Sequence, residues 1–234
     1  MIELGANLRA SSVIVSARAD KWESKSDYED FISRLPILSP KRIFLLSSVS
    51  VYGDSDLPRK EDSKIDPVTK YGLSKAFEEK TLEIFKPESA QLIILRISNV
   101  FGHRLFDDFV NNVFMSAKLG KPVLLIDQGK TTRNFIWFYD LIIVLSKLFT
   151  LESLPQFLNI GSSKSINLQT LVNEIEKIMG KRITIVESGE ELDIVANSII
   201  DTSKLTQLMD YNATNLVTAL ENYYLQDPFL IKFL

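Results

Sequence analysis

Apolar positions along the chain fall into two patterns: short runs with at most one charge, and longer stretches in which they recur every three or four residues. The runs at residues 12–17 (SVIVSA), 43–46 (IFLL) and 91–97 (QLIILRI) read as strands of a parallel sheet. Helices cover both faces of such a sheet and leave no polar alternation along its strands. Between the runs, the spacing predicts helices over 26–38 and 69–85, the second opened by Pro67. Residues 2–10 read as the end of a further helix. Downstream, the pattern predicts a helix over 109–119, a short strand over 123–126, a helix running to 179, a strand over 182–186 and helices after 201–205. The most apolar window, 135–149, is broken by Asp140 and Lys147 and is too short to span a bilayer, so a buried helix is expected there. Strands alternating with helices imply an α/β fold built on a parallel sheet.

Composition removes several functions. A net charge of -3 over 234 residues offers no basic field for nucleic acid. With no cysteine there is neither a disulfide nor a thiolate metal site, and with a single histidine a zinc centre is not expected. The first twelve residues lack the basic and apolar regions of a secretory signal, so the cytoplasm is the expected location.

The chemistry concentrates in residues 44–75. The apolar run stops at Ser47 and Ser48, which places hydroxyls at the carboxyl end of a strand. Tyr71 and Lys75, four apart, share one face of the next helix. An ammonium beside a phenol favours its anionic form, and a serine hydroxyl can hold a substrate oxygen while the phenol moves a proton.

The segments Ser47-Ser48-Val49-Ser50-Val51-Tyr52-Gly53 and Tyr71-Gly72-Leu73-Ser74-Lys75 resemble those of the extended short-chain dehydrogenase/reductases, the NAD-dependent epimerase/dehydratase family acting on nucleotide sugars. The resemblance implies a Rossmann-like sheet over residues 1–150 and a small substrate-binding α/β lobe built mainly from 151–234, interleaved with the first. It implies Ser48, Tyr71 and Lys75 as the catalytic set, with Tyr71 as acid/base and Lys75 holding the nicotinamide ribose and depressing the Tyr71 pKa. Ala17, Ser47 and Ser98 would join Tyr71 and Lys75 in binding the cofactor, NAD or NADP. Asn99, in the segment Ser98-Asn99-Val100-Phe101-Gly102, would touch the sugar together with Ser48. Arg133, in a segment ending at Asp140, would clamp the substrate diphosphate through its planar fork. Asn134 stands where the family carries Asp, and His103 where a proline is common; His103 reads as a surface residue. Residues 187–200 contain no arginine, where many epimerases place a second diphosphate ligand. Dehydratases carry an Asp-Glu pair after the catalytic Ser/Thr, and here those positions are Val49 and Ser50. The resemblance therefore implies an epimerase or related reductase.

No G-x-x-G-x-x-G phosphate loop occurs among the nine glycines. By the resemblance, the chain starts in the helix before the fourth strand, and about 65 residues of the family pattern lie outside it. The chain alone is therefore expected to bind dinucleotide poorly, which a calorimetric titration reads directly. A homodimer is expected, with residues 12–17 as an edge that pairs with a second copy or with a separately encoded N-terminal half. The apolar segment 228–234 reads as a cover for the core or an oligomer contact. The rival reading is a non-catalytic binding or regulatory relic of the same fold.

Overall fold

A computed structural model describes residues 12–16, 25–102, 108–187 and 195–226. The expectations for residues 2–10, Ala17, His103 and 228–234 lie outside the described residues.

The first sheet is built from β1 (Ser12–Val15), β2 (Arg42–Ser48), β4 (Gln91–Ile97) and β8 (Phe157–Ile160), in the order β1-β2-β4-β8, all parallel. Side chains alternate across it. Ile43, Leu45, Leu92 and Ile94 pack on one face with Tyr28, Ile32 and Leu82. Those three belong to α1 (Lys25–Ser33) and α2 (Lys70–Phe85). Phe44, Ile93, Leu95 and Leu158 pack on the other face with Leu141, Val144 and Leu148 of α4 (Phe138–Thr150). Both faces are covered, which is why these strands carry no polar alternation. Arg42 fastens α4 by donating to the carbonyls of Leu151 (2.8 Å) and Phe149 (3.1 Å) at its C-terminal end.

A second set of strands pairs separately from the first sheet. It runs in the order β3 (Ser55–Arg59), β11 (Ser198–Ile200), β7 (Thr132–Trp137) and β5 (Asn99–Phe101), with β9 (Ser165–Asn167) antiparallel to β7. A separate parallel pair joins β6 (Val123–Leu125) to β10 (Ile185–Glu187). Over them pack α3 (Phe109–Leu119), α5 (Leu168–Met179) and α7 (Leu216–Gln226), whose apolar faces share one cluster. The short α6 (Ser203–Met209) contributes Leu205 to the cluster on α4. Asn197 staples β3 to β7: its Oδ1 accepts from Thr132 N (2.6 Å), its backbone N–H donates to Asp54 (3.0 Å) and its amide to Asp56 (2.7 Å).

Two expectations change. The window 135–149 is not one buried helix: it is strand through Trp137, and α4 begins at Phe138. The helix is also amphipathic, with Tyr139, Ile142 and Ile143 47–49% exposed. Periodicity cannot part an apolar strand from the helix that follows it without a break. The helix expected over 26–38 stops at Ser33, and a 3-10 turn carrying Pro36 completes it over Leu35–Leu38, because proline cannot continue the hydrogen-bond ladder.

Candidate functional site

The strands of the first sheet end level with one another. Ser48 pairs in register with Ile97, and Ile97 with Ile160; the Ser98 N–H then donates to the Ile160 carbonyl at 2.8 Å. Ser16, Ser47, Ser48 and Ser98 thus lie at the carboxyl ends of parallel strands, where open α/β sheets bind ligands. These residues line a cleft of about 690 Å³, together with Tyr71, Lys75, Asn99 and Arg133. The structure therefore brings together every candidate residue that it describes.

Each side chain is placed by local chemistry. Ser48 Oγ caps the 3-10 turn Val49–Tyr52 by accepting from the Ser50 N–H (3.2 Å), and it donates to Ser50 Oγ (3.1 Å). Thr69 caps α2 by accepting from the Gly72 N–H (2.9 Å), so the helix starts one residue after its cap. A Cβ on Gly72 would fall 2.5 Å from the Ser50 carbonyl oxygen. Only glycine lets the first turn of α2 press against the serine turn, and this contact brings Tyr71 to the same cleft wall as Ser48 and Ser50. Tyr71 is 36% exposed, whereas Lys75 is 3% exposed. Lys75 Nζ donates to the Leu46 carbonyl (3.1 Å) and to Glu78 (2.8 Å). Ser47, although it lines the cleft, turns its hydroxyl to Glu79 on α2.

The opposite wall comes from β7 and the ends of β4 and β11. Arg133 is half-buried; one terminal nitrogen donates to the Val195 carbonyl (2.8 Å), and its buried Nε has no hydrogen-bond partner among the described residues. Burial lowers the pKa of its guanidinium, and the charge of Asp54 offsets part of that. Ser98 Oγ, on a residue 5% exposed, is likewise without a partner among the described residues. Asn99 donates through its amide to the Asn134 carbonyl at 2.7 Å. Asn134 uses both ends of its own amide, accepting from the Ser162 N–H (3.1 Å) and donating to the Ser162 carbonyl (2.9 Å). A carboxylate at that position would lose the donor, which is the local consequence of Asn in place of Asp. The neighbouring Gly161 cannot carry a Cβ, which would lie 2.2 Å from Asn134 Oδ1 and 2.9 Å from Ser98 Oγ.

Sequence reasoning missed Ser16, Ser50, Thr69, Asp108 and Ser198 among the lining residues, and Glu78 behind Lys75. Only Glu78 left a signal, its three-residue spacing from Lys75 on a helix.

The model of the NAD dependent epimerase/dehydratase family matches residues 29–161, more than half of the chain. The chain belongs to that family. It is 28% identical over 180 residues to an uncharacterized UDP-glucose epimerase of Bacillus subtilis, covering 75% of this chain and 57% of that protein. It is 31% identical over 169 residues to dTDP-4-dehydro-6-deoxyglucose reductase of Escherichia coli, covering 68% of this chain and 52% of the reductase. The chain thus spans about half the length of these curated relatives. Among solved structures, UDP-glucuronic acid 4-epimerase from Bacillus cereus, in complex with UDP-glucuronic acid and NAD, superposes with a TM-score of 0.78 at 22% identity, over 93% of this chain and 72% of that one. UDP-glucose 4-epimerase of Thermus thermophilus, in complex with NAD, gives a TM-score of 0.79 at 15% identity, over 93% and 78%. At such identities these two likenesses establish the Rossmann-type epimerase fold. Among the described residues no helix is long and apolar enough to cross a membrane.

Proposed function

We propose that the chain is the catalytic and substrate-binding part of an NAD(P)-dependent nucleotide-sugar epimerase, or of a related sugar reductase, working in the cytoplasm. One observation carries this reading: Ser48, Tyr71, Lys75, Ser98, Asn99 and Arg133 line a single cleft at the carboxyl edge of the parallel sheet. The family and its curated relatives point the same way.

In this reading the sugar lies across the serine turn. Ser48, held at the strand end by its bonds to Ser50, redirects its hydroxyl to the substrate oxygen. Tyr71, at the open wall, takes the proton on its phenolate oxygen as that hydroxyl becomes a carbonyl, and as the phenol it returns the proton on reduction. Lys75 holds a fixed positive charge one helical turn below the phenol. Asn99 faces the ring, and Arg133 offers its guanidinium to the diphosphate. The residues fit the nicotinamide end of a dinucleotide: Ser98 presents a buried hydroxyl with no protein partner among the described residues, and Lys75 lines the same wall. When bound, that cofactor supplies hydride acceptance and return at the sugar carbon. Val49 and Ser50 bring no carboxyl group to the turn, so β-elimination of water has no acid/base pair there.

Arg133→Ala is expected to weaken UDP-glucose binding by about 10- to 100-fold, the loss of one charge-assisted pair of hydrogen bonds, read by calorimetry. UDP- and dTDP-hexoses that bind the native chain and the alanine variant equally would sink the diphosphate role. Binding of the sugar without any turnover, at NAD concentrations shown by calorimetry to load the chain, would favour the non-catalytic relic.

We also propose a homodimer. Among the described residues β1 is an edge of the first sheet, with an unpaired side and an Ile14 that is 51% exposed. Sedimentation should show a dimer with slow amide exchange along residues 12–15; a monomer at high concentration with fast exchange there overturns the pairing.

A further inference from the structure

The face of α2 turned to the sheet carries charge where an ordinary amphipathic helix carries leucine. Lys75 and Glu78 lie on it three residues apart, Nζ to Oε2 2.8 Å, at 3% and 0% exposure. Helix stability does not account for the pair. Lysine preceding glutamate is the weaker order on a helix, and burying the two charges costs more than such a pair returns. The demand comes from Lys75, whose side chain lines the cleft wall although it is almost wholly buried. The Leu46 carbonyl at the end of β2 takes one N–H, and Glu78 supplies the opposite charge.

The groups around the pair are disposed to leave it intact. Tyr28 on α1 faces Glu78, and burial first, then the Glu78 charge, push its phenol above the ordinary range. Lys25 of α1 sits over the Phe77 ring, 5.1 Å from its centre. The adjacent acid, Glu79, is committed to Arg96 on β4 and to Ser47 on β2. Glu78 pairs with Lys75 and, unlike Lys75, does not line the cleft.

We propose that Glu78 is the positioning residue of Lys75: its carboxylate fixes where the ammonium sits on the cleft wall. This rests on the reading of Lys75 as the cation that serves Tyr71 and the nicotinamide ribose. The variant Glu78→Gln keeps size and a hydrogen-bond acceptor but removes the charge, and Glu78→Asp restores the charge on a shorter arm.

The test reads the pair both without and with turnover. In the 15N-labelled chain, the Lys75 ammonium should give a correlation from slowly exchanging N–H protons, assigned by its loss in Lys75→Met. That signal should broaden beyond detection in Glu78→Gln and persist in Glu78→Asp. In turnover of a nucleotide sugar with NAD supplied, Glu78→Gln should lower kcat tenfold or more with KM changed less than twofold, and Glu78→Asp should recover part of the loss. A signal and a kcat unchanged in Glu78→Gln overturn the proposal. Where Glu78→Gln folds poorly, the cycle with Lys75→Met and the double variant decides it: unfolding constants should be coupled by tenfold or more, and additive effects overturn it. If the native chain turns over no nucleotide sugar because it holds NAD too weakly, the signal and the cycle decide the pair, and the Arg133→Ala binding comparison decides the reading of the site.

Discussion

Tyr71→Phe is expected to lower turnover of a nucleotide sugar by about 10²- to 10⁴-fold, the range a positioned general acid/base contributes. The substitution removes one oxygen from a residue 36% exposed at the cleft wall, so folding and substrate affinity should change little. The loss should therefore fall on kcat, with KM within about threefold, because the phenolic proton matters only as the sugar hydroxyl is converted to a carbonyl. Steady-state kinetics across UDP- and dTDP-hexoses, at NAD concentrations shown by calorimetry to load the chain, checks this. A phenylalanine variant that keeps its kcat would remove Tyr71 from the chemistry. It would leave the serine turn as a binding feature only, which is the relic reading. The prediction draws its force from Gly72, since the contact of α2 with the Ser50 carbonyl puts the phenol and Ser48 on one wall.

How far the sequence reached depended on whether a property was local. The bounds expected for the strand over residues 91–97 and the helix over 109–119 coincide with β4 and α3, since a bounded apolar run and a clear 3.6-residue period are each decided within a few residues. The window 135–149 was misread because β7 runs into α4 with no polar break, and the pairing of Phe135 with Asn99 that makes it a strand is tertiary. The site divides in the same way. The serine pair at the strand end, Tyr71 and Lys75 are legible within one strand-turn-helix unit, whereas the choice of Ser48 over Ser47 came through the family pattern. Arg133 and Asn99 were reached through the family pattern. Ser198 and Ser16 enter the cleft only through strand order, which no local spacing reveals. The inner face of α2 was the least legible part, because Lys75, Glu78 and Glu79 make a charged stripe that reads as solvated until their partners are known.

Those partners set the largest expected effect on stability. Glu79→Ala should cost about 3–5 kcal/mol, the usual consequence of leaving one charge of a buried pair uncompensated. Arg96 is 3% exposed and makes two hydrogen bonds to Glu79, at 3.1 and 2.8 Å. It also donates to Tyr52 Oη and to the Glu61 carbonyl, both at 2.9 Å, with its guanidinium carbon 4.9 and 4.6 Å from the Tyr52 and Phe157 ring centres. Burial works against the Arg96 charge, but the hydrogen bond and charge of Glu79 outweigh it, and the net shift of its pKa is upward. Tyr52 is pushed up to about 12 by its burial, with Arg96 pulling the other way, so its phenol stays protonated and donates to Asn159 at 2.8 Å. The network ties β2, β4 and β8 together directly beneath the cleft, through Ser47 above and Asn159 beside it. Against a typical domain stability of about 5–15 kcal/mol, the single variant should lose a large share of its urea resistance. The paired change Glu79→Leu/Arg96→Met should recover much of that loss, because it leaves no unmatched charge. A Glu79→Ala unfolding free energy within about 1 kcal/mol of native would show that water reaches Arg96 and that the cleft floor is softer than the geometry implies. A large loss with recovery in the double variant would make the floor a rigid support for Ser47 and Ser48, the footing on which the substrate hydroxyl is held.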